Sequence, residues 1–166
     1  MTGIKAIALD VDGVLTDGGF WWGPNGEEWK RFSFTDIMGL SLARKAGLRI
    51  ALISGEDSPL VDRLAAKMGI TDVHKNCKDK AEALRSFADR NQLPLEEICF
   101  MGDDVNDLGA LEIAGLSAAP ADARRAVLEK VSFVSGHTGG NGAVRELIDA
   151  ILTARQRAAE AERQFA

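Results

Sequence analysis

The sequence predicts an α/β fold, a doubly wound parallel sheet with helices on both faces and a protruding β-hairpin. Short, almost continuously apolar segments indicate strands buried on both faces, and they alternate with segments whose apolar residues repeat at helical spacing. The clearest strand segments are residues 4–10, 48–54 and 97–102, and weaker ones follow at 116–119 and 131–134. A Gly-Pro-Asn-Gly cluster between two aromatic runs indicates the hairpin, at about residues 18–34.

Composition and charge limit the classes of function. The chain has 166 residues, 46% of them hydrophobic and 27% charged, which is typical of one folded domain spanning residues 1–166. The net charge of −5 argues against nucleic acid or an anionic membrane as the main partner. No segment approaches the ~18 apolar residues of a membrane span, and no signal-peptide core opens the chain. The two cysteines, Cys77 and Cys99, form no Cys-x-x-Cys pair, so we expect a cytoplasmic protein with reduced thiols.

Three segments have the apolar periodicity of helices that pack on a sheet. Their apolar faces consist of Val61, Leu64, Ala65 and Met68, of Ala81, Leu84 and Ala88, and of Val144, Leu147, Ile148, Ile151 and Leu152. Ser58 and Asp79 are the predicted N-caps of the first two helices, with Pro59 at the first helical position. The third helix and tail span about residues 142–166, and we expect the polar end to be solvated or frayed.

The predicted hairpin concentrates the large aromatic residues of the chain. It carries all three Trp residues and three of the seven Phe residues. If the second strand continues to residue 34, alternation places Phe32 and Phe34 on one face and Trp29 on the other. Two interpretations remain open, since the hairpin either packs on its own domain or presents an aromatic surface to a partner subunit.

Acidic residues follow two of the predicted strands. Asp10 and Asp12 come at the end of the first strand, where Gly13 turns the chain, and the sequence Gly-Asp-Asp-Val-Asn-Asp follows the segment at 97–102. The carboxyl ends of parallel strands meet at one edge of the sheet, where open α/β folds bind ligands. Carboxylates that lie close together need a cation or a proton between them. The pattern therefore predicts a Mg²⁺ site, although Asp104 and Asp107 are also suited to cap a helix.

Two further polar residues stand at the ends of predicted elements. The hydroxyl of Ser54 and the amide of Gly55, after the second strand, are suited to hold a phosphate oxygen. Lys80 opens a helix, against the preference of the helix dipole, and a phosphate or a carboxylate nearby would explain it. Taken alone, a serine such as Ser54 is most often a turn residue and a lysine such as Lys80 most often a surface charge, so the hypothesis depends on the order of all these motifs.

That order resembles the haloacid dehalogenase superfamily of phosphotransferases, over nearly the whole chain. The resemblance implies that Asp10 is a nucleophile that forms an aspartyl-phosphate, and that Asp12 protonates the leaving alkoxide and then activates water. It implies a Mg²⁺ site formed by Asp10, Asp103 and the main-chain carbonyl of Asp12. Asp104 and Asp107 would lie behind these ligands, with Asp107 orienting the site.

The same resemblance implies that Ser54, Gly55 and Lys80 bind the transferring phosphoryl group. This division suits phosphoryl transfer, which depends on positioning and on charge neutralisation. Many members of the superfamily also carry a cap domain over the site. Only 41 residues separate Asp12 from Ser54, and 25 separate Ser54 from Lys80, so we expect no cap domain in this chain.

A finer resemblance concerns the motifs DVDGVLTDGG, NGEEWKRF, GDDVNDL and GGNGAVRE. Together they are similar to the capless branch that includes the phosphatases of 3-deoxy-D-manno-octulosonate 8-phosphate, with relatives that act on sialic-acid-like nonulosonate 9-phosphates. This resemblance implies a homotetramer in which hairpins form a central barrel and a neighbour's C-terminal segment helps to close the site. The substrate would be a small sugar-acid phosphate.

Three residues are candidates for contacts with the sugar acid. Glu56 stands after Ser-Gly, as in the nonulosonate relatives, where the octulosonate pattern has a basic residue. Thr35 likewise stands where that pattern has a basic residue, so both substrates remain open. Arg145 is suited to a bidentate pair with the substrate carboxylate, and the alternative is a charge on a helix surface.

Two functions of other classes compete with a phosphatase. A signalling receiver domain also places an acidic pair, a hydroxyl and a lysine on a doubly wound sheet, with Asp57 or Asp79 as possible phosphate acceptors. The spacing of the acidic motifs fits that arrangement poorly. A catalytically silent domain that tetramerises a partner enzyme is the other alternative. Mg²⁺-dependent turnover of p-nitrophenyl phosphate distinguishes them.

Overall fold

The computed structural model describes residues 1–164, and its centre is a six-stranded parallel sheet. The strands of the chain are β1 (Ala6–Leu9), β2 (Trp21–Trp22), β3 (Glu28–Trp29), β4 (Arg49–Ile53), β5 (Asp72–His74), β6 (Ile98–Met101), β7 (Leu116–Ala119) and β8 (Phe133–Val134). The sheet has the order β5-β4-β1-β6-β7-β8, and β2 and β3 form a separate antiparallel pair. This arrangement confirms the predicted fold class, and β8 occupies only the last two residues of the predicted segment at 131–134.

Helices cover both faces of the sheet. They are α1 (Phe34–Lys45), α2 (Pro59–Met68), α3 (Lys80–Asn91), α4 (Leu108–Ile113), α5 (Arg125–Leu128) and α6 (Ala143–Gln164). In β1, Ile7 and Leu9 pack in a core with α1, α2 and α6, whereas Ala6 and Ala8 pack in a second core with α3, α4 and α5. The sheet is therefore doubly wound, and the central strands are buried on both faces.

The predicted helix signals are confirmed. The side chain of Ser58 accepts a hydrogen bond from the Leu60 amide at the start of α2, and the side chain of Asp79 accepts one from the Glu82 amide at the start of α3. The apolar faces predicted for α2, α3 and α6 are buried, apart from half-buried Leu152. The second half of α6 is largely solvated, and residues 165 and 166 of the predicted tail lie outside the described residues.

The hairpin is present but shorter than predicted. Trp21 pairs with Trp29 and Trp22 pairs with Glu28, and the chain leaves the second strand there. Alternation does not reach residue 34, because the side chain of Ser33 accepts a hydrogen bond from the Thr35 amide and caps α1. Phe34 is consequently a helical residue and is 79% exposed. It does not share a strand face with Phe32, which packs against the core.

The exposed aromatic residues of the hairpin form what we call the hairpin surface. Its members, all more than half exposed, are Phe20, Trp21, Trp22 and Trp29. Between β1 and α3 the described chain holds only this hairpin, α1, β4, α2 and β5, so no cap domain is inserted there. Among residues 1–164, no helix combines the length and the apolar character needed to cross a membrane.

Buried Asp36 fixes the start of the last helix. One carboxylate oxygen accepts a hydrogen bond from the Gly142 amide and the other accepts one from the Arg145 amide, both at 3.0 Å. Gly142 directly precedes α6 and Arg145 lies in its first turn, where amides have no acceptor within the helix. A side chain of α1 thus fixes the start of α6 by bonds to residues 106 and 109 positions further along the chain.

Replacement of Asp36 by alanine is expected to lower the free energy of unfolding by about 2–3 kcal/mol, because two buried amides lose their acceptor. Urea unfolding measures the effect. Asp62→Ala is the control, since Asp62 pairs with Lys75 at the surface and its loss is expected to cost less than about 1 kcal/mol. Equal effects of the two substitutions would contradict the anchoring role of Asp36.

Candidate active site

The sheet register brings two acidic strand ends together. In the parallel pair of β1 and β6, Leu9 lies opposite Met101, so Asp10 and Asp103 follow at the same edge. The amide of Asp10 donates to the carbonyl of Met101 at 3.0 Å. One carboxylate oxygen from each of Asp10, Asp103 and Asp107 lies within 4.8 Å of the others. The expected convergence of the two acidic motifs is therefore found.

Gly13 permits this close approach. Its φ of +89° lies in the region that favours glycine, and a Cβ at this position would overlap the carboxylate of Asp103. The turn after Asp12 therefore requires glycine both for its backbone conformation and for the space that Asp103 occupies.

Lys80 lies at the centre of the acidic cluster. Its Nζ is 2.8 Å from Oδ1 of Asp10 and 2.6 Å from Oδ1 of Asp107, and the residue is only 3% exposed. Oδ2 of Asp107 accepts hydrogen bonds from the amides of Asp103 and Asp104. Both oxygens of Asp107 are thus engaged in holding the site, whereas Lys80 is a buried bridge and not a surface charge.

Asp104 matches the helix-capping alternative. Its Oδ1 accepts a hydrogen bond from the Val105 amide at 2.7 Å, at the start of the short turn Val105–Asp107. Its Oδ2 lies 3.3 Å from Nε of Arg124 in an ion pair at the surface. Asp104 therefore orders the loop beside the cluster, and its carboxylate is not among the three that converge.

Burial and the neighbouring negative charge raise the pKa values of two carboxyl groups in the cluster. Burial, followed by the charge of Asp107, raises the pKa of Asp10 to about 8, although Lys80 partly offsets the increase. The same two causes raise the pKa of Asp103 to about 6. In each case burial contributes most, and the charge of Lys80 does not offset it together with the repulsion from Asp107. A divalent cation supplies the missing positive charge, and carboxylate oxygens are the ligands that Mg²⁺ prefers, so the donor set fits this ion.

The second acid of the Asp-x-Asp motif has a partner that the sequence analysis missed. Nζ of Lys30 lies 2.9 Å from each oxygen of the Asp12 carboxylate, and the Lys30 side chain is 4% exposed. The side chain of Asp12 therefore faces the hairpin and lies outside the cluster of three carboxylates. The only available signal was alternation, since Lys30 follows Trp29 and points away from it.

The other predicted phosphate-binding residues lie on the opposite side of β1. In the sheet, β1 pairs with β6 on one side and with β4 on the other. Ser54 directly follows β4 and is almost fully buried. Its Oγ accepts a hydrogen bond from the Glu56 amide at 3.1 Å. Gly55 and Glu56 line the same cleft as the acidic cluster. The Ser-Gly-Glu turn thus borders the predicted site, with Ser54 holding its shape.

The acidic cluster opens into a cleft of about 460 Å³. Its walls contain seven carboxylates, from Asp10, Asp12, Asp17, Glu56, Asp103, Asp104 and Asp122, and two cations, from Lys80 and Arg124. Four further lining residues were not predicted: Asp17 and Asn106, which lie within the acidic motifs but received no role, and Asp122 and Arg124, which lie outside them. The cleft is strongly acidic without an added cation.

Thr35 and Arg145 do not line this cleft. Thr35 is exposed in the first turn of α1, and Nε of Arg145 donates to Asp149, one turn along α6, at 2.8 Å. Asp36 ties this part of α6 to α1, and Gly139 and Gly140, shortly before α6, pack against residues 13–17 in the turn after β1. Neither residue therefore contacts the cleft of its own chain, and their role in binding the substrate stays a prediction.

Comparison with known proteins gives one consistent result. A family model described as haloacid dehalogenase-like hydrolase matches residues 54–147. The 3-deoxy-D-manno-octulosonate 8-phosphate phosphatase of Escherichia coli K12 is 36% identical over 161 residues, which cover 97% of this chain and 86% of that protein.

Two solved structures share the fold. A phosphatase of the same name from Moraxella catarrhalis, in complex with a magnesium ion, a phosphate ion and a KDO molecule, has a TM-score of 0.91 and 33% identity, covering 99% of this chain and 95% of that one. The cobalt-bound deoxy-D-mannose-octulosonate 8-phosphate phosphatase from Haemophilus influenzae has a TM-score of 0.90 and 37% identity. The match covers 93% of this chain and 91% of that one. Sequence, fold and site agree, and the chain belongs to the haloacid dehalogenase-like hydrolases.

Proposed function

We propose that this chain is a Mg²⁺-dependent phosphatase that removes the terminal phosphate of an 8- or 9-carbon 2-keto-3-deoxy sugar acid. The observation that carries the proposal is the meeting of Asp10, Asp103 and Lys80 at one edge of the sheet. Asp10 and Asp103 are suited to share a metal ion, and Lys80 is suited to neutralise the charge of the phosphoryl group. The names and ligands of the relatives supply the substrate class.

The first half of the reaction transfers the phosphoryl group to the protein. An oxygen of Asp10 attacks phosphorus, and the bond from phosphorus to the sugar oxygen breaks with its electron pair on that oxygen. Asp12 donates a proton to the departing alkoxide, and an aspartyl-phosphate results. A carboxylate nucleophile divides a slow hydrolysis into two easier steps.

The second half regenerates the protein. Asp12, now a carboxylate, takes a proton from water as the water oxygen attacks phosphorus. The bond from phosphorus to Asp10 breaks, its electron pair returns to the carboxylate, and inorganic phosphate leaves. Asp12 is suited to both roles because it lies in the cleft but outside the three converging carboxylates.

The remaining residues bind and orient the phosphate. The carboxylates of Asp10 and Asp103 and the main-chain carbonyl of Asp12 would hold Mg²⁺, which neutralises the charge of the phosphate oxygens when it is bound. Lys80 and the Ser54–Gly55 turn would bind the other oxygens. Asp107 holds Lys80 and the main chain of Asp103, so it orients both without touching the substrate.

The size of the sugar acid has two candidates. The relatives, each named for an octulosonate 8-phosphate, favour the 8-carbon substrate. The carboxylate of Glu56 in the wall of the cleft favours a 9-carbon nonulosonate, since the octulosonate pattern has a basic residue there. A silent structural role is disfavoured, because burying the carboxylate cluster costs stability that an unused site has no reason to bear.

We also propose that the hairpin surface assembles a homotetramer. Four large aromatic side chains lie exposed on a ribbon of two-residue strands, and so short a ribbon is not stable in isolation. The cleft has no cap domain above it, and neighbouring subunits would cover it. Within such an assembly Arg145 and Thr35 would contribute only to a neighbour's cleft.

The wild-type protein with Mg²⁺ is expected to hydrolyse octulosonate 8-phosphate or nonulosonate 9-phosphate with a much higher kcat/KM than p-nitrophenyl phosphate. Asp10→Asn is expected to lower kcat by at least about 10³-fold, because the nucleophile is lost. Release of inorganic phosphate measures the rates of the wild type and of the variant, and circular dichroism checks that Asp10→Asn is folded. Full activity of Asp10→Asn, or no turnover of any phosphate ester by the wild type, would overturn the proposal.

Mg²⁺ affinity distinguishes two adjacent aspartates. Asp103→Asn is expected to weaken binding by at least about tenfold, since even an outer partner of a metal ligand has that effect. Titration calorimetry at pH 8 measures it. Asp104→Asn is the matched control and is expected to change the affinity by less than about threefold, because Asp104 pairs with Arg124. Equal losses would contradict the assignment of Asp103.

The assembly depends on the hairpin surface. The double substitution Trp21→Ser and Trp22→Ser is expected to reduce the molar mass measured by light scattering, because the exposed indoles lose their apolar contacts. Val134→Ser is the control, since Val134 is also exposed but lies on β8 at the far edge of the sheet. A monomeric wild type would refute this part of the proposal.

A further inference from the structure

Lys30 is a buried cation with no role in the reaction described so far. It directly follows β3, and its Nζ contacts both oxygens of Asp12 at 2.9 Å. Its side chain is 4% exposed, whereas the Asp12 side chain is 29% exposed. Burial of a lysine costs free energy unless the ammonium is well paired, so this position calls for a specific partner.

A second layer of contacts holds the ammonium group in place. Oε1 of Glu28 lies 3.5 Å from Nζ of Lys30, and the same oxygen accepts a hydrogen bond from Oγ of Ser58 at 3.3 Å. Ser58 is the N-cap of α2, so the network runs from the hairpin to a helix packed on the sheet. Lys30 is consequently held by Glu28 as well as by Asp12.

We propose that Lys30 is a positioning residue that holds the carboxylate of Asp12 for the attack of water on the phosphoenzyme, an inference that rests on the proposed function. A carboxylate has about four lone-pair sites, and Lys30 occupies one on each oxygen, which leaves sites for a proton from water. In this step a proton of the water moves to Asp12 as the water oxygen bonds to phosphorus. The bond from phosphorus to the Asp10 oxygen breaks, and its electron pair returns to the Asp10 carboxylate. Proton transfer of this kind requires a fixed base within hydrogen-bond reach.

The alternative is an ion pair that only stabilises the hairpin. A buried pair is weak evidence of stability, because desolvation of both charges offsets their attraction. The two interpretations differ in which rate constant depends on Lys30. An ion pair that shapes the site as a whole affects every step, whereas a residue that acts through Asp12 affects only proton transfer.

An aryl phosphate separates the steps. The p-nitrophenolate ion leaves without a proton, so formation of the phosphoenzyme from p-nitrophenyl phosphate does not need Asp12, and its breakdown by water does. Stopped-flow absorbance follows formation, and release of inorganic phosphate follows breakdown. Lys30→Met is expected to lower the breakdown constant by about tenfold, a fraction of the total effect of a general base, and to leave the formation constant within about threefold.

Two companion variants make the comparison specific. Lys30→Arg keeps a cation beside Asp12 and is expected to retain more of the breakdown rate than Lys30→Met. Lys130→Met is the matched control, because Lys130 pairs with Glu112 at the surface, and both constants are expected to be unchanged. If Lys30→Met does not fold, Glu28→Gln loosens the same ammonium and is expected to give a smaller loss confined to breakdown.

A double-mutant cycle completes the test. In an Asp12→Asn background, Lys30→Met is expected to cause no further loss of breakdown rate, since it acts through the missing carboxylate. An undiminished loss in that background, or a parallel fall of both constants, would overturn the role of Lys30 while leaving the phosphatase intact. A wild type without Mg²⁺-dependent turnover of any phosphate ester would overturn the proposed function itself.

Discussion

The uncompensated negative charge around Lys80 is the constraint on which the site depends. Three carboxylates converge there and one buried ammonium lies between two of them, so burial and mutual repulsion raise the pKa values of Asp10 and Asp103. Such an arrangement costs free energy that the two packed cores must supply. A divalent cation relieves the repulsion, and the resulting pair of positive charges suits the oxygens of a phosphate ester.

The fold holds this cluster by contacts that are distant in sequence. The turn after Asp12 admits Asp103 only because residue 13 is glycine, and Gly139 and Gly140 also pack against that turn. Asp36 then fixes the helix that follows these residues. The C-terminal segment therefore supports the acidic turn through direct contact, even though Arg145 points along its own helix.

Strand ends, N-caps and the meeting of the acidic motifs were predictable from the sequence, because each depends on local pattern or on a general property of parallel sheets. Asp10 and Asp103 had to meet once their strands were neighbours. The pair of Lys30 and Asp12 was not predictable, since it depends on the direction in which the hairpin leaves the sheet. The start of α1 was missed because Ser33 caps the helix within an apparent run of aromatic strand residues.

The hairpin joins two properties that are separate in a protein with a cap domain. Exposed aromatic residues that suit contact with another subunit lie on both of its faces, with Trp21 and Trp29 on one and Trp22 on the other. The residue after its second strand, Lys30, holds the carboxylate of Asp12. In the proposed reaction, the element that would bring subunits together therefore also orients the base. Because Lys30 directly follows β3, a shift of the hairpin on assembly would move Lys30 with it, and the Glu28–Ser58 contact with α2 would resist that shift. If both proposals hold, assembly and proton transfer would be mechanically connected through this ribbon of two short strands.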